Sequence, residues 1–197
     1  MIHPHTALVA VPEADGLGVV ATRPIPAGTV VWVRDSLDRT LQSGTLEKLA
    51  PLELEALDRY SYVDRCGRRV LCWDHARFVN HACEPTCMSP GYEFEVAVRD
   101  IGVGEQLTDD YAALNLKPEW TCQCGSPRCR GLVGEATPEL VEQWDAMLQA
   151  VWPHIATVPQ PLWSLVTNRY TKLPTDPTQL GPRSLPLRSS WLHLAAG

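Results

Sequence analysis

The chain has 197 residues, is 45 % hydrophobic and 20 % charged, and carries a net charge of −6. That make-up is one of a globular domain with or without an addition, and no apolar run nears the roughly eighteen residues of a membrane span. Met1-Ile2-His3-Pro4-His5 lacks the basic and apolar regions of a secretory signal, and the acidic balance disfavours a dedicated nucleic-acid surface. An intracellular, cytoplasmic protein with no membrane and no direct nucleic-acid partner is expected.

In chain order, Gly16 to Thr22 followed by Pro24 to Val33 reads as two β-rich strands separated by a Pro/Gly turn, since β-branched residues dominate both arms. Residues 45–60 carry Leu46, Leu49, Leu52, Leu54 and Leu57 at roughly helical spacing, and Pro51 is expected to split that helix. Short strands are expected at 69–73 and 93–98, the second alternating charged and apolar side chains. Val103-Gly104-Glu105 turns the chain into another strand at 106–108, and 110–120 reads as loop and short helix. Thr137-Pro138-Glu139 is a helix start, with a capping hydroxyl, a first-turn proline and an acid at the positive end of the helix. Leu140, Val141, Trp144, Met147, Leu148 and Val151 form its apolar stripe and Pro153 stops it. A shorter helix is expected over 162–170. From Leu173 the chain is rich in proline, serine and leucine, and a disordered tail or one draped on the core is expected.

Cysteines carry the sharpest signal. Cys122-Gln-Cys124-Gly-Ser-Pro-Arg-Cys129 crowds three thiols too closely for ordinary disulfide geometry. The same crowding suits zinc, which takes four sulfur ligands at about 2.3 Å. Cys83 is the best-placed fourth ligand, so the metal would tie the end of the chain to its middle. Seven cysteines also leave one over in any all-disulfide scheme, and reduced, metal-binding thiols are the better account. Cys87 is a rival ligand by proximity to Cys83; burial as small hydrophobes is expected of Cys66, Cys72 and Cys87.

Four stretches occur in one order: Gly16-Leu17-Gly18 with Ala27-Gly28 downstream, Arg77-Phe78-Val79-Asn80-His81-Ala82-Cys83-Glu84-Pro85, Gly104-Glu105-Gln106-Leu107-Thr108-Asp109-Asp110-Tyr111, and the closing cysteine run. Together they resemble the SET domain of protein-lysine methyltransferases with its zinc-binding post-SET segment. The resemblance implies a mostly β, β-clip-like fold with short helices and a knot-like core. The SET domain would span 1–114, the post-SET segment 115–134, and a helical, proline-rich C-terminal appendage 135–197. It implies S-adenosylmethionine as cofactor, structural zinc, and a protein or peptide substrate bearing lysine. Tyr111 would be the catalytic residue, with Gly16, Leu17, Gly18, Tyr62, Asn80, His81 and Trp120 around the cofactor. Cys83, Cys122, Cys124 and Cys129 would hold the metal.

The reaction so implied needs a neutral amine, although free lysine has a pKa of about 10.4; deprotonation near pH 7 costs on the order of 4–5 kcal/mol. A desolvating channel and an adjacent sulfonium both lower that cost. The chain departs from the family pattern at Ala82, Thr86 and Asp109, the last of which leaves the number of methyl groups added open. With fifteen residues before Gly16, a small stand-alone member is expected, whose substrate is not fixed as a histone. Two other readings compete: an inactive SET-fold binder, and a zinc-stabilised module docking a partner through Trp144, Trp152, Trp163 and Trp191.

Overall fold

The computed structural model describes residues 1–12, 16–64, 66–114, 116, 119–170 and 173–179. Strand β1 (Thr6–Val11) pairs antiparallel with β2 (Gly16–Ala21) over their full lengths. β3 (Val30–Val33) enters the core, and the turn before it needs Gly28. Its φ is +88°, and a Cβ there would stand 2.7–2.9 Å from His154 and the Ile155 nitrogen. After β4 (Arg39–Leu41) the expected helix is indeed divided, into α1 (Ser43–Leu46) and α2 (Pro51–Tyr60). Pro51 opens α2, and the Glu53 carboxylate accepts the Ala50 N–H at 2.8 Å. The leucine stripe of this region is not a core face. Leu57 is buried, whereas Leu52 is 79 % exposed.

Tyr60 ends α2, and Tyr62 lies in the strand that follows, β5 (Ser61–Val63). β6 (Arg69–Leu71) lies between β4 and β5. The two-residue strands β7 (Asn80–His81) and β8 (Cys87–Met88) follow, then β9 (Phe94–Ala97), which pairs with both β3 and β8. β10 (Thr108–Asp109) runs parallel to β7, placing Asn80 opposite Thr108 and His81 opposite Asp109. The Asn-His and Asp-Tyr segments therefore lie side by side. Thr86, one of the departures from the family pattern, knits them: its hydroxyl accepts the Thr108 N–H at 2.8 Å, and its own N–H reaches Thr108 Oγ1 at 3.1 Å. β11 (Trp120–Thr121) and β12 (Leu132–Val133) make a small ribbon around the cysteine run.

The C-terminal helices are not peripheral. α3 (Pro138–Val151) is capped by Thr137, whose hydroxyl accepts the Leu140 N–H at 3.3 Å, and ends where Pro153 was expected to stop it. Its Leu140, Val141, Trp144 and Leu148 pack on Met88 and Ala112. A 3-10 turn and α4 (Trp163–Arg169) bury Trp152, Ile155, Trp163 and Val166 against Val30, Val33, Phe94 and Val96 of the central sheet. The expected appendage thus shares the core, because a three-stranded sheet of short strands cannot cover both its faces unaided. Arg34, 5 % exposed, adds a polar tie, bonding Asp64 at 3.2 Å together with Glu93 and Thr40. Glu93 also pairs with Arg169 of α4. Residues 180–197, with Trp191, lie outside the described residues. Among those described, no helix is long and apolar enough to cross a membrane.

Candidate active site

Tyr111 stands at a junction. It opens a 3-10 turn (Tyr111–Ala113) directly after β10, and the turn is capped by Asp110. Its hydroxyl donates to the Val79 carbonyl at 2.6 Å, and its backbone N–H donates to His81 Nδ1 at 3.2 Å. Its ring lies 5.6 Å from that of His81 and 6.0 Å from that of Trp120. Burial, helped by the negative charges of Asp109 and Glu95, pushes the phenol pKa well above its ordinary value. The group is therefore a neutral hydroxyl at every physiological pH and cannot serve as a tyrosinate base.

A cavity of about 1070 Å³ opens beside it, lined by Tyr111, Trp120, Tyr62, Val79, Asp109 and Trp144 among others. Tyr62 contributes its ring, which packs edge-on to Trp32 at 5.9 Å. The Tyr62 hydroxyl has no accessible surface and, among the described residues, no hydrogen-bond partner. Asp109 is 3 % exposed; one of its oxygens accepts the Asp110 N–H at 2.7 Å. Its carboxylate does not face solvent.

Gly18, Leu17 and Asn80 meet on another side of β7. Asn80 Nδ2 donates to the Leu17 carbonyl at 3.1 Å and to Gln106 Oε1 at 2.9 Å. Gln106 sits inside the motif run but was not singled out from the sequence, because nothing local distinguishes it from a surface glutamine. Gly16 and Leu17 are exposed, at the start of β2. A Cβ on Gly18 would meet Gln106 Oε1 at 2.5 Å, Val11 Cγ2 at 2.6 Å and Asn80 Nδ2 at 2.9 Å. Gly18→Ala is expected to cost about 1–3 kcal/mol of stability, the usual range for overpacking. It should also displace Asn80 from the Leu17 carbonyl, so the melting temperature should fall. An unchanged value in thermal unfolding would show the cradle to be loose.

The thiols converge as their spacing required. Cys83 Sγ lies 3.7 Å from Cys122 Sγ, close to the edge of about 3.8 Å of a sulfur tetrahedron built on bonds of about 2.3 Å. The Cys83 N–H points at Cys124 Sγ (3.5 Å), the Arg130 N–H at Cys83 Sγ (3.4 Å) and the Gly131 N–H at Cys129 Sγ (3.4 Å). Such N–H donors stabilise thiolates and orient them for metal. Burial raises the Cys124 thiol, but the N–H groups of Cys83 and Ser126 and the neighbouring thiols outweigh it and bring the pKa to about 7. Cys129 adjoins the Cys122 and Cys124 thiols, but the ligand atoms that all lie within 4.8 Å of one another are those of His81, Cys83, Cys122 and Cys124, a set that takes in His81 and leaves out Cys129. The cluster of Cys and His side chains can bind zinc by donor type and spacing.

His81 is the member that the spacing argument did not place with the metal. Burial, reinforced by Arg130 and opposed by Asp110, lowers its pKa, so the ring is neutral. With Nδ1 accepting the Tyr111 N–H, the ring proton falls on Nε2, which faces Cys83 Sγ at 3.4 Å; a ring proton given instead to the Asp109 backbone carbonyl would leave a free lone pair on the other nitrogen. A protonated Nε2 donates to sulfur and has no lone pair for a metal. Cys87 is no rival ligand: it is 1 % exposed in the core, its thiol beside Thr86 Oγ1 at 3.4 Å. Cys72 is buried as expected, but Cys66 is exposed, because it sits in the turn between β5 and β6.

The tryptophans weigh against a docking module. Trp144, Trp152 and Trp163 are 1–4 % exposed and are used up in the chain's own core.

Residues 16–112 match the SET domain family model. The chain is 36 % identical over 96 residues to the histone-lysine N-methyltransferase ASHR3 of Arabidopsis thaliana, which covers 43 % of this chain and 19 % of that protein. It is 26 % identical over 144 residues to an H3 lysine-36 specific histone-lysine N-methyltransferase of Cryptococcus neoformans, covering 66 % of this chain and 17 % of the relative. The chain thus spans less than a fifth of the length of these curated relatives. Its fold is similar to that of the methyltransferase domain of human SETMAR, with a TM-score of 0.50 and 20 % identity over 70 % of this chain and 60 % of that one. With the parallel pairing of the Asn-His and Asp-Tyr segments inside the matched stretch, residues 16–112 are a SET domain.

Proposed function

We propose that the chain transfers a methyl group from S-adenosylmethionine to the side-chain amine of a protein lysine, with Tyr111 as the catalytic residue. The observation that carries this reading is the neutral Tyr111 hydroxyl, held at 2.6 Å on the Val79 carbonyl at the edge of a large cavity and beside the Asn80-His81 segment. Asn80, the Leu17 carbonyl and the Gly18 cradle hold the cofactor, His81 and Trp120 flank it, and Gly16 lets the backbone approach. Bound S-adenosylmethionine supplies the electrophilic methyl carbon and a sulfonium charge. The cavity walls exclude water around the amine, which lowers its pKa, and positioning makes the encounter effectively unimolecular. With its one proton given to Val79, Tyr111 orients the reacting groups as a hydrogen-bond acceptor; no residue here needs to act as a strong base. Tyr62 supplies an apolar wall by its ring rather than a ligand by its hydroxyl.

Cys83, Cys122, Cys124 and Cys129 hold one structural zinc ion, in a segment that corresponds to the post-SET module. His81 donates to Cys83 instead of binding the metal. This choice follows from its tautomer: with Nδ1 accepting, the four thiolates are left as the complete tetrahedral set.

The test begins with calorimetric titration of S-adenosylmethionine and its demethylated product into zinc-loaded protein, beside Asn80→Ala. Saturable binding in the wild type, weakened at least about tenfold by the loss of a hydrogen-bonding side chain, supports the cofactor site. Because the named relatives are histone-lysine N-methyltransferases, core histones and a pool of lysine peptides are the first substrates. Folded, zinc-loaded protein that binds neither ligand in the presence of those substrates would overturn the proposal.

A further inference from the structure

Asp110 immediately precedes Tyr111 and has 0 % exposure. A carboxylate so placed is costly unless its oxygens are satisfied. Four donors do this. Arg130 approaches with both arms, Nη1 to Oδ2 at 2.8 Å and Nη2 to Oδ1 at 2.7 Å. The Trp144 indole N–H reaches Oδ2 at 3.1 Å, and the Ala112 N–H reaches Oδ1 at 3.2 Å.

These donors come from three parts of the chain. Ala112 belongs to the turn that presents Tyr111, so the carboxylate sets the pitch of that turn. Arg130 follows the last cysteine, and its own backbone N–H is bonded to Cys83 Sγ. Trp144 is the buried centre of α3, 34 positions beyond Asp110. A buried ion pair is by itself weak evidence of stability, since replacing both partners with well-packed apolar side chains often costs nothing. This one joins the catalytic turn to the thiol segment and to α3 at a single point.

We propose that Asp110, Arg130 and Trp144 are positioning residues for Tyr111, so that the thiol segment and the C-terminal helix together set where its hydroxyl stands. This rests on the catalytic reading of Tyr111. It makes α3 a working part of the active site and not a late addition to a complete one. The bidentate fork requires arginine, because lysine offers a point charge without the paired geometry.

The experiment compares wild type, Trp144→Phe and Arg130→Lys, all as full-length, zinc-loaded protein. Three readouts are taken: zinc stoichiometry, backbone hydrogen exchange, and turnover on the histone and peptide pool. In both variants, amides 110–113 should exchange at least about tenfold faster while those in the second half of α3 keep their protection. Zinc should stay stoichiometric. The turnover number should fall about 10–100-fold with little change in KM, as expected for a misplaced catalytic group. Unchanged exchange at 110–113, or loss of protection spread evenly over α3, would overturn the proposal and leave Trp144 as core packing. Should Trp144→Phe fail to fold, Arg130→Lys decides by the same criteria. A wild type that turns over no substrate would overturn the proposed activity, whereas the exchange result still decides whether the three residues fix the turn.

Discussion

Tyr111→Phe is expected to reduce methyl transfer by roughly 10²–10³ in turnover number, the usual cost of removing one aimed hydrogen-bonding group from an active site. The ring stays, so its contacts with His81 and Trp120 should persist. Cofactor affinity should therefore change little. The Val79 carbonyl loses its donor, at a cost of about 1–3 kcal/mol to stability if no water replaces it. The expected pattern is a folded protein that binds the cofactor and does not turn it over. Steady-state kinetics on the best substrate, with calorimetry on the same preparation, separates the two effects. Near-normal turnover would remove Tyr111 from the chemistry. The pH profile should show no ionisation of this residue, since burial and the nearby carboxylates hold its pKa above the accessible range.

Removal of zinc is expected to be nearly as damaging, by another route. The thiol cluster joins Cys83, next to the Asn-His segment, to Cys122, Cys124 and Cys129, next to Trp120 and Arg130. Without metal, close-set thiols that begin to ionise would repel one another, and this part of the chain buries little else to hold it. Chelation, or Cys122→Ser or Cys129→Ser, should weaken cofactor binding by at least about 10–100-fold, the loss that even an outer-sphere partner of a metal commonly causes. Readdition of zinc should restore the chelated wild type but not the serine variants. His81→Asn separates the two possible ligand sets: it should retain stoichiometric zinc if the ring donates to sulfur, and lose it if the ring is a ligand. Cys66→Ser, in an exposed turn, is the control expected to change neither zinc nor binding. Metal-free protein that binds the cofactor with full affinity would show that the cluster serves stability alone.

Much of this was legible locally. The Thr137-Pro138 start of α3, the split at Pro51 and the strand around Val96 follow from caps, proline and alternation acting over a few residues. The leucines of α2 were misleading, since helical spacing indicates that a face exists and not that anything covers it. The short strands β4, β7 and β11 carry no periodic signal at all. Each has two or three residues and is held by partners far along the chain.

The residues that carry chemistry divide in the same way. By itself, the sequence set out the thiol run with Cys83 as candidate metal donors and the order of the motif segments, whose resemblance to a family pointed to Tyr111. Thiol spacing and motif order are properties of the chain before it folds. Only the tertiary structure decided that His81 turns its Nε2 toward Cys83, that the Tyr62 hydroxyl is fully buried, and that Trp144 reaches Asp110. Side-chain direction, tautomer and burial depend on neighbours brought from up to 34 residues away in the last of these cases. Chain-local rules do not sense those neighbours, and the polar contacts around Tyr111 exist only once the core has closed.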